Sequence, residues 1–414
     1  MPQSRPAWPA LGALALGAFA IGTGEFAIMG ILPNVADALD VSIPGAGHLI
    51  SAYALGVVVG APVLVALSTR LSRRTTLVAL MAAFAVGNAL SALAPGYDTL
   101  LIARFVSGLP HGAFFGVGAV VAGRLVAPER KAQATAMMFT GLTIANIIGV
   151  PIATLLGQSL GWRPVFAVVA AIGAAAATSL FLAVPADDPD AAALHLGTEL
   201  RTLLRPQVWL ALLTATLGGA TLFTTYSYIA PMLTDVAHFA PGSVTWLLVV
   251  FGVGMTLGNL VGARLVDKAL MPSLYSFLVA EGVVALCFLP ALHNKFATGA
   301  TLFVFAAVTF ALVPALQTRI INKAGEAPNI ASAAIQAAFN VANALGAWLG
   351  GLVIAAGYGY SAPNTVAAGL AGCGLLVALL AGRLDHRSRR DAAVGDYPLP
   401  HQQTPTESSR ADAR

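Results

Sequence analysis

The chain has 414 residues, of which 57% are hydrophobic and only 10% are charged, and its mean hydropathy is +0.80. Because lipid must solvate most of such a surface, this composition excludes a water-soluble globular protein and predicts an integral membrane protein. The 42 glycines favour closely packed membrane helices over a barrel of short alternating strands.

Apolar stretches long enough to cross the roughly 30 Å hydrocarbon layer of a bilayer predict twelve membrane spans. They fall near residues 10–33, 47–69, 75–95, 99–124, 132–159, 163–184, 207–231, 243–267, 272–292, 296–321, 329–356 and 363–383. A polar stretch divides them six and six. We therefore predict an N-terminal six-helix bundle (1–184), a cytoplasmic linker (185–206), a C-terminal six-helix bundle (207–383) and a disordered cytoplasmic tail (384–414).

The first span contains an acid, Glu25, about fifteen residues into the apolar stretch LGALALGAFAIGTGEFAIMGIL. Ionisable groups inside a membrane each cost several kcal/mol, so those that occur usually face a watery cavity or a partner. Glu25 is therefore a candidate functional residue.

Positive charges mark one side of the predicted membrane topology. Of the 22 Lys and Arg residues, 19 lie in or beside the termini and even-numbered loops, Arg163 and Lys295 lie in the opposite loops, and Arg104 lies inside a span. Since positive charge stays cytoplasmic, both termini are predicted to be inside, in a multi-pass protein of the cell inner membrane. The net charge of +4 reflects this bias, so no nucleic-acid partner is expected.

An internal repeat relates the two halves. The second and eighth spans, HLISAYALGVVVGAPVLVALSTR and WLLVVFGVGMTLGNLVGARLVDK, superpose at an offset of 198, which matches Gly56 with Gly254. In the fifth and eleventh spans, Asn146 matches Asn343 at an offset of 197. Because six is even, the two halves share one orientation, which predicts two six-helix bundles in a parallel pseudo-repeat.

Three segments resemble motifs of a known transporter family. They are GTGEFAIMGILPNVADALDVS in the first span, LxxRxxSG around Arg104 in the fourth, and GVPIATLLGQ in the fifth. Between residues 11 and 383 the chain resembles the twelve-span drug:proton antiporters of the major facilitator superfamily, in the branch of arabinose-type, sugar, purine and chloramphenicol exporters. The resemblance implies that spans 1, 4, 7 and 10 line a central cavity between two bundles that rock about the substrate.

The resemblance also implies which residues control gating. The loop after span 2 reads VALSTRLSRR where the family has G-x-L-x-D-R-x-G-R-R, and the second copy ends in Asp-Lys. A Gly-Val-Pro sequence is expected to relax and bend span 5 where it meets span 8. The expected gating residues are Arg70, Arg73, Arg74, Asp267, Lys268, Gly149 and Pro151.

Two basic residues of the fourth span are candidates for proton coupling beside Glu25. Helical rise places Glu25 roughly 12 Å and Arg104 roughly 8 Å from the outer ends of their spans, so we expect them to pair. Their repeat positions hold Phe223 and Leu302, and this asymmetry favours a function over a structural ion pair. His111 shares a helical face with Arg104 and could relay protons, although a hydrogen bond to a neighbouring helix is the stronger alternative.

Polar side chains of spans 7 and 11 are candidates for substrate binding. The hydroxyl and aromatic cluster of span 7 suits a mostly neutral ligand, but hydroxyls also bond their own helix backbone. The polar stripe of span 11, which continues to Asn343, could equally bond between helices. The predicted cavity residues are Thr224, Tyr226, Tyr228, Gln336 and Asn340. For Glu281, in a span expected to be peripheral, a local hydrogen bond is expected rather than a transport role.

The energy source is predicted to be a proton gradient. The sequence has no G-x-x-x-x-G-K-[ST] loop for ATP and no Cys/His cluster for a metal, so neither a metal nor another cofactor is expected. A partly desolvated carboxylate is suited to loading a proton on one side and releasing it on the other. We therefore predict a monomeric, proton-coupled exporter of small amphipathic compounds or chloramphenicol-like drugs, working by alternating access.

Three alternatives remain at this stage. A dedicated exporter of sugars or purine nucleosides would have the same fold, and ligand binding or efflux would distinguish it. A membrane channel is less compatible with the duplicated six-span plan. An intramembrane enzyme would need a nucleophile, base or metal set clustered at one depth, and the sequence offers none.

Overall fold

The computed structural model describes residues 7–68, 71–186, 205–324 and 328–395. Within these ranges the fold is all-helical and contains twelve helices that are long and apolar enough to cross a membrane, which confirms the predicted spans. They are α1 (Trp8–Gly30), α2 (Ile43–Ser68), α3 (Arg73–Leu93), α4 (Tyr97–Arg124), α5 (Gln133–Leu160), α6 (Trp162–Ala183), α7 (Pro206–Tyr226), α8 (Pro241–Lys268), α9 (Leu270–Ala291), α10 (Lys295–Ala324), α11 (Ala334–Tyr358) and α12 (Ala362–Gly395).

Local sequence signals define several helix ends. The Ser72 side chain accepts a hydrogen bond from the Thr75 backbone N–H at 3.2 Å and so caps the start of α3. Gly161 joins α5 to α6 with a φ of +86°, a conformation that favours glycine. Consecutive helices run antiparallel, so their ends fall on two opposite faces. We call the face at which α2, α4, α6, α8 and α10 end the even-loop face, and the other the odd-loop face.

Glycines at repeat-related positions bring helices close together in both bundles. A Cβ atom at Gly56 or Gly60 of α2 would collide with the backbone carbonyls of Phe105 and Leu109 in α4. Their repeat partners in α8, Gly254 and Gly258, lie in the same way against the carbonyls of Phe303 and Ala307 in α10. Small residues allow this close backbone approach between helices in lipid. The duplicated sequence pattern therefore corresponds to duplicated helix packing.

The last helix continues beyond the predicted start of the tail. Helix α12 extends to Gly395, although the sequence was interpreted as a disordered tail from residue 384. The first turn of this extension is held against α10, because the Asp385 carboxylate pairs with Arg319 at 3.3 Å and with Lys323 at 2.5 Å, both on α10. The start of the tail was thus predicted too early, and residues 396–414 lie outside the described ranges, as does most of the predicted linker.

Candidate functional site

A cavity of about 440 Å³ lies between the two bundles. It extends from Glu25, five residues and hence about 8 Å from the odd-loop end of α1, towards the even-loop ends of α10 and α11. The wall combines aromatic rings, amides and titratable groups. These are Phe26, Phe139, Phe223, Phe310 and Phe339; Asn146, Asn259, Gln317, Gln336 and Asn340; and Glu25, His111 and Glu281. Among the described lining residues there is no lysine or arginine, so the fixed charges are acidic.

Contacts between the bundles close the odd-loop side of this cavity. The Ser51 hydroxyl of α2 donates to the Ala344 carbonyl of α11 at 3.1 Å, and Gln158 of α5 donates to the Pro241 carbonyl at 3.0 Å. Gly47 of α2 packs against the hydroxyl end of Tyr228. The cavity therefore lies on the even-loop side of a packed layer.

Glu25 contacts the opposite bundle directly. Its side chain is 7% exposed, and Oε1 accepts a hydrogen bond from Nδ2 of Asn343 in α11 at 3.0 Å. The other amide atom, Oδ1 of Asn343, is buried without a hydrogen-bond partner among the described residues. This bond joins α1 to α11 at the end of the cavity nearest the odd-loop face. A charged acceptor makes such a bond roughly twice as strong as a neutral one.

Arg104 does not form the predicted ion pair with Glu25, because no nitrogen of its guanidinium lies within 4.0 Å of that carboxylate. Instead, Nη1 donates to the carbonyl of Gly24 at 3.1 Å. The guanidinium lies 4.3 Å from the ring centroid of Tyr53 and 5.4 Å from that of Phe166. Arg104 is fully buried and thus holds the backbone beside Glu25 rather than its carboxylate.

His111 lines the cavity and is hydrogen-bonded to a neighbouring helix. Its Nδ1 lies 3.1 Å from the hydroxyl of Tyr53 in α2, the same tyrosine whose ring stacks against Arg104. The hydrogen bond to a neighbouring helix that the sequence analysis favoured is therefore present, and a role in proton transfer stays a prediction. Arg104, Tyr53 and His111 form a continuous set of contacts from α1 to the cavity wall.

The predicted cavity residues of α7 are not on the wall of this cavity. Thr224 donates its hydroxyl to the Ala220 carbonyl of its own helix at 2.6 Å. The ring of Tyr226 stacks on Phe251 of α8 with centroids 4.3 Å apart, and Tyr228 donates to the Ala347 carbonyl at 2.7 Å. The helix ends at Tyr226, so the chain turns these rings into the packed layer on the odd-loop side.

The predicted polar stripe of α11 does face the cavity. Gln336 and Asn340 line it, and Asn340 donates to the Gln336 carbonyl at 3.0 Å while its Oδ1 has no partner among the described residues. One turn further, Asn343 leaves the wall and reaches Glu25. The stripe thus divides into two wall residues and one residue that joins the bundles.

Span 5 is irregular next to the Gly-Val-Pro sequence that was predicted to bend it. Residues Ala145–Gly149 form a π turn, and Pro151 is the second residue of the α-helical segment that follows. A Cβ at Gly149 would collide with the Thr23 hydroxyl of α1, and Gly252 of α8 packs against the α5 backbone at Asn146. This is the meeting of spans 5 and 8 that the sequence analysis anticipated, and π turns are frequent at functional sites.

The basic gating candidates lie at the even-loop face. Arg73 and Arg74 begin α3, and the guanidinium of Arg74 lies 4.3 Å from the ring centroid of Phe181 in α6, within the same bundle. Asp267 and Lys268 end α8. Arg70 lies outside the described residues.

Glu281 lines the cavity although α9 was expected to be peripheral. Its side chain is 1% exposed, and Oε2 has no hydrogen-bond partner among the described residues, so the expected local hydrogen bond is absent there. The sequence did not predict that this residue lies on the cavity wall. The glycine pair Gly218–Gly219 in α7, which also lines the cavity, was the available signal.

Twelve membrane helices, a two-bundle repeat and a central cavity with intramembrane acids define a membrane transporter. The family model of the Major Facilitator Superfamily matches residues 14–334. The chain belongs to this superfamily. It is therefore a transporter and not an enzyme, as the sequence predicted.

Known proteins resemble the chain over most of its length. The inner membrane transport protein YdhP of Escherichia coli (strain K12) is 47% identical over 371 residues, covering 90% of this chain and 95% of that protein. The chloramphenicol resistance protein of Streptomyces lividans is 35% identical, covering 89% and 93%. Together with the twelve helices, these relatives make the chain a multi-pass inner membrane protein.

The fold also matches a solved structure. The crystal structure of a bacterial homologue of the human lysosomal transporter Spinster, in an inward-facing and occupied conformation, superposes with a TM-score of 0.72. That match covers 92% of this chain and 98% of that one at 16% identity, and it supports the shared fold.

Proposed function

We propose that this transporter is a proton-coupled exporter of small amphipathic compounds, chloramphenicol-like drugs among them, working by alternating access. The observation that carries the proposal is the hydrogen bond from Asn343 to Glu25. It joins the one acid of α1 to the opposite bundle at the end of the cavity nearest the odd-loop face. The chloramphenicol resistance protein of Streptomyces lividans supports the substrate class, through its similarity over most of both chains.

The proposed coupling acts through that bond and the burial of Glu25. With Glu25 ionised, the bond is charge-assisted and holds α1 and α11 together on the odd-loop side until substrate binds in the cavity. The substrate-loaded protein then opens the odd-loop side, and the uncovered carboxylate takes up a proton from outside as the substrate leaves. The neutral acid is buried again at a lower cost than a carboxylate when this side closes, and its proton leaves through the cavity to the even-loop side, so a proton moves inward as a substrate moves outward.

The proposed direction of transport requires the even-loop face to be cytoplasmic. A cysteine at Gly96, on the odd-loop face, should then react from outside with an impermeant thiol reagent, in a background in which Cys287 and Cys373 are replaced by serine. A cysteine at Ala127, on the even-loop face, should react only after the cells are permeabilised. The reverse pattern would refute the orientation.

The function itself is tested in proteoliposomes with an imposed pH gradient. An acidic lumen should drive uptake of radiolabelled chloramphenicol in exchange for outgoing protons, and a protonophore should abolish that uptake. Matched vesicles without protein give the background. Uptake that is equal with and without the gradient would show that protons are not coupled to this transport.

A dedicated exporter of sugars or nucleosides is the second candidate function. The amide-rich part of the wall favours it, because Asn146, Gln336 and Asn340 could bond to the hydroxyls of such substrates. Counterflow of a labelled nucleoside or disaccharide in the same vesicles, with chloramphenicol unable to compete, would favour this function over drug export.

A further inference from the structure

One buried acid of the cavity takes no part in the coupling proposed above. Glu281 is the described residue of α9 that reaches the cavity, and Oε2 is buried without a hydrogen-bond partner among the described residues. An unpaired carboxylate in a medium of low polarity is costly, so it is expected to hold either a proton or an exchangeable cation.

Gly218 of α7 lies beside the Glu281 carboxylate, and both residues line the cavity. A Cβ atom at Gly218 would lie 2.8 Å from Cδ2 of Leu312 on α10, 3.2 Å from Cδ2 of Leu278 and 4.0 Å from Oε2 of Glu281. A side chain at this position would therefore collide with Leu312, and its absence leaves the carboxylate next to bare backbone on the cavity wall. We call the part of the wall formed by Gly218, Leu312 and Glu281 the α9 window.

The neighbouring helices supply no partner for the carboxylate. The Thr309 hydroxyl, which also lines the cavity, donates to the Phe305 carbonyl of its own helix at 2.8 Å. Helix α7 carries no charged residue between Pro206 and Tyr226.

The charged groups on the other elements packed against α9 lie towards the helix ends. Helix α10 carries Lys295 at its odd-loop end, and Arg319 and Lys323 near its even-loop end, where both contact Asp385 of α12. Arg383, the other described charged side chain of α12, lies two residues from Asp385. On α9 itself the other titratable side chains are Tyr275, near the even-loop end, and Cys287, on the exposed side.

We propose that Glu281 and the α9 window form a cation-binding subsite, which takes the protonated amine of an amphipathic substrate. This inference rests on the proposed export function and gives it a substrate class, the lipophilic organic cations. The apolar part of such a substrate lies against the phenylalanine rings of the cavity, while its ammonium group replaces the proton on Glu281, and that proton leaves to water through the cavity. Glu25 is less suited to this role, because its carboxylate already accepts a hydrogen bond from Asn343.

A matched pair of fluorescent probes tests the subsite in the purified full-length protein. Dansylcadaverine carries a primary ammonium group at neutral pH, and its N-acetyl derivative has the same ring system without the charge. We expect fluorescence anisotropy to show at least about tenfold tighter binding of the cation, which corresponds to about 1.4 kcal/mol. Glu281→Gln should reduce this preference to within about twofold and leave binding of the acetylated probe unchanged.

Two variants sharpen the test. Glu25→Gln, which removes the other acid of the wall, should keep the preference for the cation. Gly218→Val, which closes the α9 window, should lose it as Glu281→Gln does. A wild-type protein that binds both probes equally, or a preference that persists in Glu281→Gln, would overturn the subsite.

A second measurement keeps the proposal testable if either variant fails to fold. An apolar carbodiimide should modify Glu281 in the wild-type protein, as located by mass spectrometry. Dansylcadaverine should slow that modification at least about fivefold, whereas the acetylated probe should not. Equal protection by both probes, or by neither, would contradict cation binding at Glu281. Both measurements are made without a gradient, so failure of proton-driven export in vesicles is a separate result.

Discussion

Helices α5 and α11 are repeat partners that carry the same amide in two different environments. Asn146 of α5 lines the cavity, and its Nδ2 donates to the Leu142 carbonyl of its own helix at 2.9 Å. Asn343, its partner at the offset of 197, donates instead to Glu25 of the opposite bundle. The two amides therefore occupy equivalent positions in the repeat, but only that of Asn343 donates a hydrogen bond across the interface between the bundles.

The difference between the two amides follows from the residues that they face. In the repeat, the contact of Asn343 with Glu25 would correspond to a contact of Asn146 with position 223 of α7. That position is occupied by Phe223 rather than by an acid. A phenyl ring has no oxygen or nitrogen acceptor to replace the carboxylate, and it packs against Phe26 of α1 with centroids 6.2 Å apart. Glu25 therefore distinguishes two otherwise equivalent amides, and mutations can test whether this difference matters for transport.

Removing the acid should have the largest effect. Glu25→Gln keeps the shape of the side chain and can still bond Asn343, but it cannot change its charge. We expect uphill, gradient-driven transport in proteoliposomes to fall to the level of protein-free vesicles, while binding of neutral chloramphenicol and downhill exchange persist. Normal gradient-driven transport by this variant would remove Glu25 from the mechanism and leave His111 or Glu281 as the candidate acids or bases.

Replacing the buried guanidinium of α4 should have the next largest effect. Arg104→Ala removes the bond to the Gly24 carbonyl and the contact with the Tyr53 ring, and it leaves an unfilled space in the N-terminal bundle. The repeat position in the other bundle holds Leu302. We expect a loss of about 2–4 kcal/mol of stability, measured by unfolding in detergent.

Two further variants show whether Arg104 acts on the carboxylate or on the backbone. Arg104→Lys should recover only part of the lost stability, because an ammonium group cannot stack on the Tyr53 ring as a planar guanidinium does. In a double-mutant cycle, Glu25 should couple more strongly to Asn343 than to Arg104. A stronger coupling to Arg104 would restore the ion pair that the sequence predicted.

The paired asparagines give the most direct test of the comparison. Asn343→Ala removes the inter-bundle bond to a charged group, worth about 1.5–3 kcal/mol, and should lower gradient-driven turnover by about tenfold. Asn146→Ala, the matched control in α5, should change turnover less than about threefold, because its amide bonds only its own helix. Equal losses in the two variants would mean that the asymmetry at Glu25 does not matter for transport.

The helices, their number and the repeat could be predicted from the sequence, because each depends on local hydrophobicity or on matches along the chain. The contact between Glu25 and Asn343 could not, since the two residues are 318 positions apart and the contact depends on how α11 is rotated. The depths of the residues along their helices predicted Arg104 as the partner of Glu25 instead. Arg104 lies nearby, but its guanidinium donates to the Gly24 carbonyl.

Two other errors have structural causes that hydrophobicity does not report. Tyr226 and Tyr228 were expected on the cavity wall, but α7 ends between them and the chain turns both rings into the closed layer. Glu281 was expected to make a local hydrogen bond in a peripheral span, but it lines the cavity beside Gly218, where α7 carries no side chain. Predicting the position of Glu281 on the cavity wall would require knowing that Gly218 of α7 lies beside it.

The smallest expected effect concerns the even-loop face, where the two repeats also differ. The first copy begins α3 with Arg73 and Arg74, and the second ends α8 with Asp267 and Lys268. Partly exposed contacts of this kind are worth up to about 1 kcal/mol each, so Arg73→Ala with Arg74→Ala should slow turnover about two- to fivefold and leave ligand affinity within a few-fold.

Part of this slowing should come from the contact between Arg74 and Phe181, which joins α3 to α6 inside one bundle. Phe181→Leu should then reproduce part of the slowing, and Lys268→Ala, at the repeat position of Arg70, should slow transport less. Unchanged turnover in the double arginine variant, measured in the same vesicles, would show that the altered loop after α2 has lost its gating role.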